Sequence, residues 1–313
     1  MAYHIPVLIK ETKELLDVKK DSWYIDCNLG GGGHTAEILE KGGKVLGIDL
    51  DSEAIEESAN RFGLTPERIN GKLVAKSDNL ILIQDNFINI DLIVEEYKIK
   101  PAGVLFDLGI SSHQLDERER GFSFMNDADL DMRMNQESDE PTAADIVNAL
   151  NEKELAQLFF EFGEEYRAKQ IARAINEYKK NKLIKSTHEL ASIVLSVKRK
   201  NKYERIHPAT QVFQALRIIT NDELGNIKVG LKKAVEILDK DGLLVVISFH
   251  SLEDRIVKNF IRDNEEQLQN LTKKPLEASL DELYDNNRAR SAKLRAAKKI
   301  SDKITSEGHV IPA

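Results

Sequence analysis

Apolar and polar positions follow two rhythms along the chain. Near-continuous apolar runs recur at Trp23-Tyr24-Ile25, Val45-Leu46-Gly47-Ile48, Leu80 to Ile83 and Val104-Leu105-Phe106. Each is strand-sized, while Ala54 to Phe62 and Asp91 to Tyr97 between them space their apolar residues as helices do. Strands alternating with helices predict an α/β fold, a doubly wound parallel sheet whose ligands bind beyond the carboxyl ends of the strands. Asp26, Asp49, Phe87 and Asp107 fall at or just past such ends and are expected to face one crevice.

The next clear strand, Leu243 to Phe249, lies farther on than any ordinary connection reaches, so a segment is inserted. Pro141 to Leu150, Glu152 to Phe162, Glu164 to Tyr178 and Thr187 to Val197 show helical spacing, and Asn151 with Glu154 and Ser186 with Glu189 read as capping boxes. The expected organisation is a discontinuous sheet domain, 1–112 and 208–313, interrupted by an all-helical domain at 113–207 placed for substrate recognition. The chain returns through helices from about Gln211 to Leu224 and Ile227 to Leu238. Arg288 to Lys299 reads equally as a helix or as one arm of a closing antiparallel hairpin.

Candidate chemistry begins where the first strand ends. Asp26 is followed by Asn28-Leu29-Gly30-Gly31-Gly32-Gly33-His34 and then by a helix starting near Thr35. Successive glycines let the backbone turn tightly and approach a ligand, and the helix start aims free N–H groups at it. Asp49 ends the next strand, placed to accept hydrogen bonds from a ribose diol. Gly31 to Ala36 also satisfies the loose dinucleotide pattern G-x-G-x-x-G/A. A carboxylate at Asp26 disfavours a pyrophosphate and suits the cationic amino and sulfonium groups of S-adenosylmethionine, so that cofactor is expected ahead of NAD.

Composition adds limits. The 313 residues, 41% hydrophobic and 31% charged, describe a globular chain without a membrane-length apolar run, and its start has no export signal. One cysteine, Cys27, excludes an intramolecular disulfide and fits the reducing cytoplasm, where it serves as a small buried filler. A net charge of −8 argues against a general nucleic-acid coat, yet basic runs at Lys198 to Lys202 and Arg288 to Lys299 permit phosphate contacts at a chosen site. His188-Glu189-Leu190-Ala191-Ser192 lacks the second histidine of a zinc protease motif, and no metal site is expected.

Three segments are dense in polar and turn residues: Asp107 to Gln114, Arg120 to Phe124 continuing through Leu130 to Met134, and Ser248 to Arg255. They are expected to form a polar floor with aromatic walls at Phe122, Phe124 and Phe249, suited to an unstacked base. These segments, with His207-Pro208-Ala209-Thr210, Phe213 to Arg217 and Asn287 to Arg295, resemble the successive signatures of the ribosomal RNA small subunit methyltransferase H (MraW) family. The resemblance runs nearly end to end. It implies a Rossmann-like S-adenosylmethionine-dependent methyltransferase of the cytoplasm that acts on the exocyclic N4 of one cytidine in 16S rRNA of the small ribosomal subunit, in the decoding region.

By matching positions, the resemblance places cofactor contacts on Gly32, Gly33, His34, Asp49, Phe87, Asp107 and Gln114. It leaves a homodimer open. The chain departs from the family pattern at Asn28, Ala128-Asp129, Asn135, Gln211 and Asn287. An amine whose lone pair is delocalised into cytosine needs an acceptor for its N–H; Asp107 is the first candidate and His250 the second. The rival readings are an NAD-dependent oxidoreductase and a non-catalytic RNA-binding assembly factor.

Overall fold

The strand-sized apolar runs become one sheet. The computed structural model describes residues 6–110, 117–198 and 206–301. Nine strands among the described residues, β1 (Trp23–Asp26), β2 (Lys44–Asp49), β3 (Glu67–Ile69), β4 (Lys72–Lys76), β5 (Leu80–Gln84), β6 (Pro101–Asp107), β7 (Leu243–Ser248), β8 (Leu268–Asn270) and β9 (Lys293–Lys299), lie in the order β3-β4-β5-β2-β1-β6-β7-β9-β8. The five central strands, β5 to β7 in that order, are parallel, and each edge is finished by antiparallel strands. Helices α1 (Ile9–Leu15), α2 (Gly33–Glu40), α3 (Ser52–Arg61) and α4 (Ile90–Tyr97) belong to this unit.

Burial explains why the central runs are apolar without alternation. Strands covered on both faces need side chains that lose nothing by leaving water, and Val45, Leu46, Ile48, Leu82, Val104 and Leu105 are all buried. Each contributes about 1.5–3 kcal/mol relative to an exposed side chain. The register then sets the site: Asp26 pairs with Gly47 and Leu105, Asp49 with Gln84, and Asp107 with Ile247. Three carboxylates thus end up at the carboxyl edge of neighbouring strands.

By its contacts the chain divides into Met1–Gly109 with Ile227–Ala313, and Ile110–Asn226. The second unit holds α5 (Ala143–Ala149), α6 (Glu152–Gly163), α7 (Ala168–Lys179), α8 (Thr187–Val197) and α9 (Thr210–Thr220). Both expected capping boxes are present: Asn151 accepts from Lys153 N and Glu154 N while Glu154 accepts from Asn151 N, and Ser186 with Glu189 repeats the pattern. The insert extends past 207, where sequence patterning ended it, because α9 buries Val212, Phe213, Ala215 and Leu216 in the same core as Phe159, Ile171 and Leu190. Gly163 lets α6 and α9 touch: a Cβ there would sit 2.5 Å from the Gln211 carbonyl.

Helix α10 (Glu223–Ile237) leads back to β7, and α11 (Ser251–Asp263) and α12 (Leu280–Asp285) follow it. The ambiguous basic tail is a short 3₁₀ turn, Asn287–Ser291, and then β9, antiparallel to β7. No helix among the described residues is long and apolar enough to cross a membrane.

Candidate active site

The glycine loop turns as the sequence requires. Gly30 and Gly32 have φ of +49° and +69°, a region that strains residues bearing a Cβ. At Gly32 a Cβ would also approach Phe62 Cε2 to 2.8 Å, so close packing and backbone twist demand the same residue. Helix α2 begins at Gly33, two residues earlier than the pattern predicts, and its first helical bond runs from Ala36 N to Gly32 O. The N–H groups of the first turn therefore point off the end of β1 toward the loop. Helix α3 pins the loop from behind: Ser58 Oγ donates to Gly30 O at 2.8 Å and Arg61 Nη1 to Gly31 O at 2.7 Å.

Four acceptor or titratable groups surround this turn. Asp49 Oδ2 accepts from Gly30 N at 2.9 Å and Oδ1 from Asp51 N at 3.0 Å, so the carboxylate is aimed by backbone while keeping lone pairs for a further donor. Burial and then the neighbouring Asp51 carboxylate push Asp49 up to about 7. Asp26 is buried at 1% exposure, with Oδ2 accepting from Thr35 Oγ1 at 2.8 Å. Burial raises its carboxyl above the ordinary value against the lowering effect of His34. His34 Nε2 stands 3.6 Å from Asp107 Oδ2. Among the described residues, Asp26 Oδ1, Asn28 Oδ1, Asp107 Oδ1 and His34 Nε2 are buried without a hydrogen-bond partner.

Phe87 opens the 3₁₀ turn Phe87–Asn89 after β5 and meets Phe106 edge to face, centroids 5.4 Å apart at 89°. Sequence reasoning missed what supports it. Gly230 of α10 packs on Phe87, where a Cβ would lie 2.6 Å from Cδ2; its only signal in the sequence is a glycine inside a helical pattern. Thr35, Ser58, Arg61 and Asp51 were missed likewise, since their roles exist only once strands and helices meet.

Other expectations are redirected. His250 caps α11: its Nδ1 accepts from Glu253 N at 3.4 Å, and Glu253 returns the bond to His250 N. Its Nε2 is buried, without a hydrogen-bond partner among the described residues, 3.2 Å from Glu253 Oε1. Gln114 lies outside the described residues. Phe122 is buried, and Phe124 packs in the insert against Phe213 and His207.

The basic runs are largely engaged within the fold. Arg295 pairs with Asp254, Lys299 Nζ donates to Leu238 O at 2.7 Å, Lys298 pairs with Asp241 and Lys198 with Glu165. Arg199 to Lys202 lie outside the described residues. Gln211 also has a structural role, accepting from Lys198 Nζ and donating to Glu164 O. Arg295 and Lys299 are thereby held inside the fold, while Arg288 and Arg290 are exposed.

An S-adenosyl cofactor fits this donor set. Its amino and sulfonium groups are cationic, and the unpartnered buried oxygens around the loop are acceptors that burial makes costly to leave unpaired. The sequence profile of the MraW methylase family matches residues 1–300. The chain belongs to that family. A ribosomal RNA small subunit methyltransferase H from Carboxydothermus hydrogenoformans is 45% identical over 95% of this chain and 98% of its own. One from Streptococcus mutans is 41% identical over 95% and 98%. The crystal structure of an rRNA methylase from Streptococcus thermophilus covers 94% of both chains at 11% identity and a TM-score of 0.42; the family assignment does not depend on it. As a MraW family member the chain is an S-adenosylmethionine-dependent methyltransferase, which removes the oxidoreductase and non-catalytic readings.

Proposed function

We propose that this MraW family methyltransferase transfers a methyl group to the exocyclic N4 of one cytidine in 16S rRNA, in the decoding region of the small ribosomal subunit, in the cytoplasm. The observation that carries the reading is near-full-length similarity to rRNA methyltransferases together with acceptor oxygens gathered at the glycine loop. The cofactor supplies a methyl carbon made electrophilic by its sulfonium. Around it, Asp49 accepts from the ribose hydroxyls, the first-turn N–H groups of α2 hold the amino-acid end, and Phe87 offers an aromatic surface to the adenine. Gly32, Gly33, His34 and Gln114 complete the cofactor set by family position.

Methyl transfer forms an N–C bond as the C–S bond breaks, and the amine gives up one proton. Asp107 Oδ1 has no donor among the described residues, so Asp107 is assigned the N4–H hydrogen bond that biases the nitrogen toward attack. His250 stays second, because its ring caps α11. Calorimetry with S-adenosylhomocysteine and with NAD tests the cofactor: heat with the first and none with the second is expected, and the reverse overturns the reading. Radiolabelled methyl transfer to small subunits lacking the modification tests the substrate, since a protein that only binds leaves no label.

A further inference from the structure

The glycine loop hides a second layer of chemistry behind it. His34 is the second residue of α2, and its ring is only 6% exposed. The cofactor contact proposed at His34 is through its main chain at the start of α2, which leaves the imidazole for another task. It points at Asp107, 3.6 Å from Nε2 to Oδ2. That is longer than a hydrogen bond and well within an ion pair, and each group keeps a buried unpartnered atom. Asp26 and Asp107 end the adjacent parallel strands β1 and β6, so the Asp26 carboxylate also acts electrostatically on the ring.

We propose that His34 is a positioning residue for methyl transfer: its buried imidazole, beside Asp107, fixes the Asp107 carboxylate so that Oδ1 stays open to the target amine. This rests on Asp107 being the acceptor.

Charge supports the geometry. Burial pulls the His34 imidazole down, but Asp107, Asp26 and Glu37 together leave it above its ordinary value. The groups facing the ring are Asp107 from β6, Asp26 from β1 and Glu37 one turn along α2; Lys13 of α1, paired with Glu37, lines the same small pocket as His34 and Thr12. The approach of the imidazole along Oδ2 leaves Oδ1 to the substrate. The methyl transfer itself is unchanged: the C–S electron pair goes to sulfur, N4 bonds carbon, and the N4 proton leaves toward Asp107.

Turnover should therefore fall at high pH as His34 loses its proton. Three measurements on the full-length protein test this. Nitrogen-15 histidine NMR of the wild type with S-adenosylhomocysteine should show His34 still charged near pH 7; a neutral ring there overturns the proposal. His34→Gln should lower kcat roughly 10- to 100-fold while KM for S-adenosylmethionine and Kd for S-adenosylhomocysteine stay within about threefold, with the alkaline fall in kcat abolished. A wild-type kcat and pH profile, or a loss confined to KM, overturns it. Asp107→Asn separates the two readings. Near-normal turnover by that variant removes Asp107 as acceptor, whereas an inactive Asp107→Asn beside an unaffected His34→Gln removes only the positioning role.

Discussion

Glu165 in the helical insert and Asp107 in the sheet unit are both carboxylates drawn toward the interior, and their surroundings are opposite. Glu165 is saturated: Lys198 Nζ lies 2.9 Å from Oε2 and Arg167 N donates to Oε1 at 2.9 Å. Among the described residues, Asp107 has no donor on Oδ1 and a histidine at 3.6 Å on Oδ2. A buried charge without partners costs several kcal/mol unless something else supplies them, so the insert's acid is built for stability and the sheet's acid for a ligand. The same contrast runs through each unit. Capping boxes, the Asp131–Arg133 pair and Lys179 on the Val147, Asn148 and Leu150 carbonyls satisfy polar groups throughout the insert, while Asp26, Asn28, His34 and Asp107 leave atoms unpaired around one turn.

Substitutions should split along that line. The largest effect is expected at Asp107: Asp107→Ala should lower methyl transfer by about 10²- to 10⁴-fold with the fold intact, measured by label incorporation and circular dichroism. Phe159→Ala, in the insert's core, should instead cost about 3–5 kcal/mol of stability in denaturant titrations and leave calorimetric affinity for S-adenosylhomocysteine unchanged. An active-site loss from Phe159→Ala without loss of stability would erase the contrast.

Asp49 sharpens it through pH. Burial and Asp51 hold its carboxyl at about 7 instead of 3.8, so the folded protein binds that proton more tightly than the unfolded chain does. The resulting stability is fully present below the ordinary carboxyl range and is lost as pH rises through about 7. Asp49→Asn should therefore raise the Tm of the free protein more at about pH 8 than at about pH 5, while weakening S-adenosylhomocysteine binding. An equal Tm gain at both values would mean that Asp49 is not held in its raised state. The smallest effect is expected at Asn151, whose replacement by Ala should remove about 1 kcal/mol from the insert and nothing from kcat.

Much of this was legible from residues alone, and the exceptions share a cause. The runs Leu80 to Gln84 and Val104 to Asp107 read as strands because continuous burial leaves a continuous apolar signal. The caps at Asn151 and Ser186 read correctly because both partners lie within one turn. The basic tail stayed open between a helix and a hairpin arm, since Arg295 and Lys299 are buried in a strand by partners at Asp254, Glu236 and Leu238, which no local window contains. For the same reason the glycine loop was visible, whereas its props at Ser58, Arg61 and Gly230 were not. The helix α9 was assigned across the domain boundary because its apolar stripe says that it packs and not against what.

The direct test of the central claim is nucleoside mass spectrometry of 16S rRNA from unmodified small subunits incubated with the protein and S-adenosylmethionine. The account predicts one N4-methylcytidine, mapped to the decoding region and absent with Asp107→Ala. A methyl group on another base, on an oxygen or carbon atom, or on no nucleotide at all would contradict it.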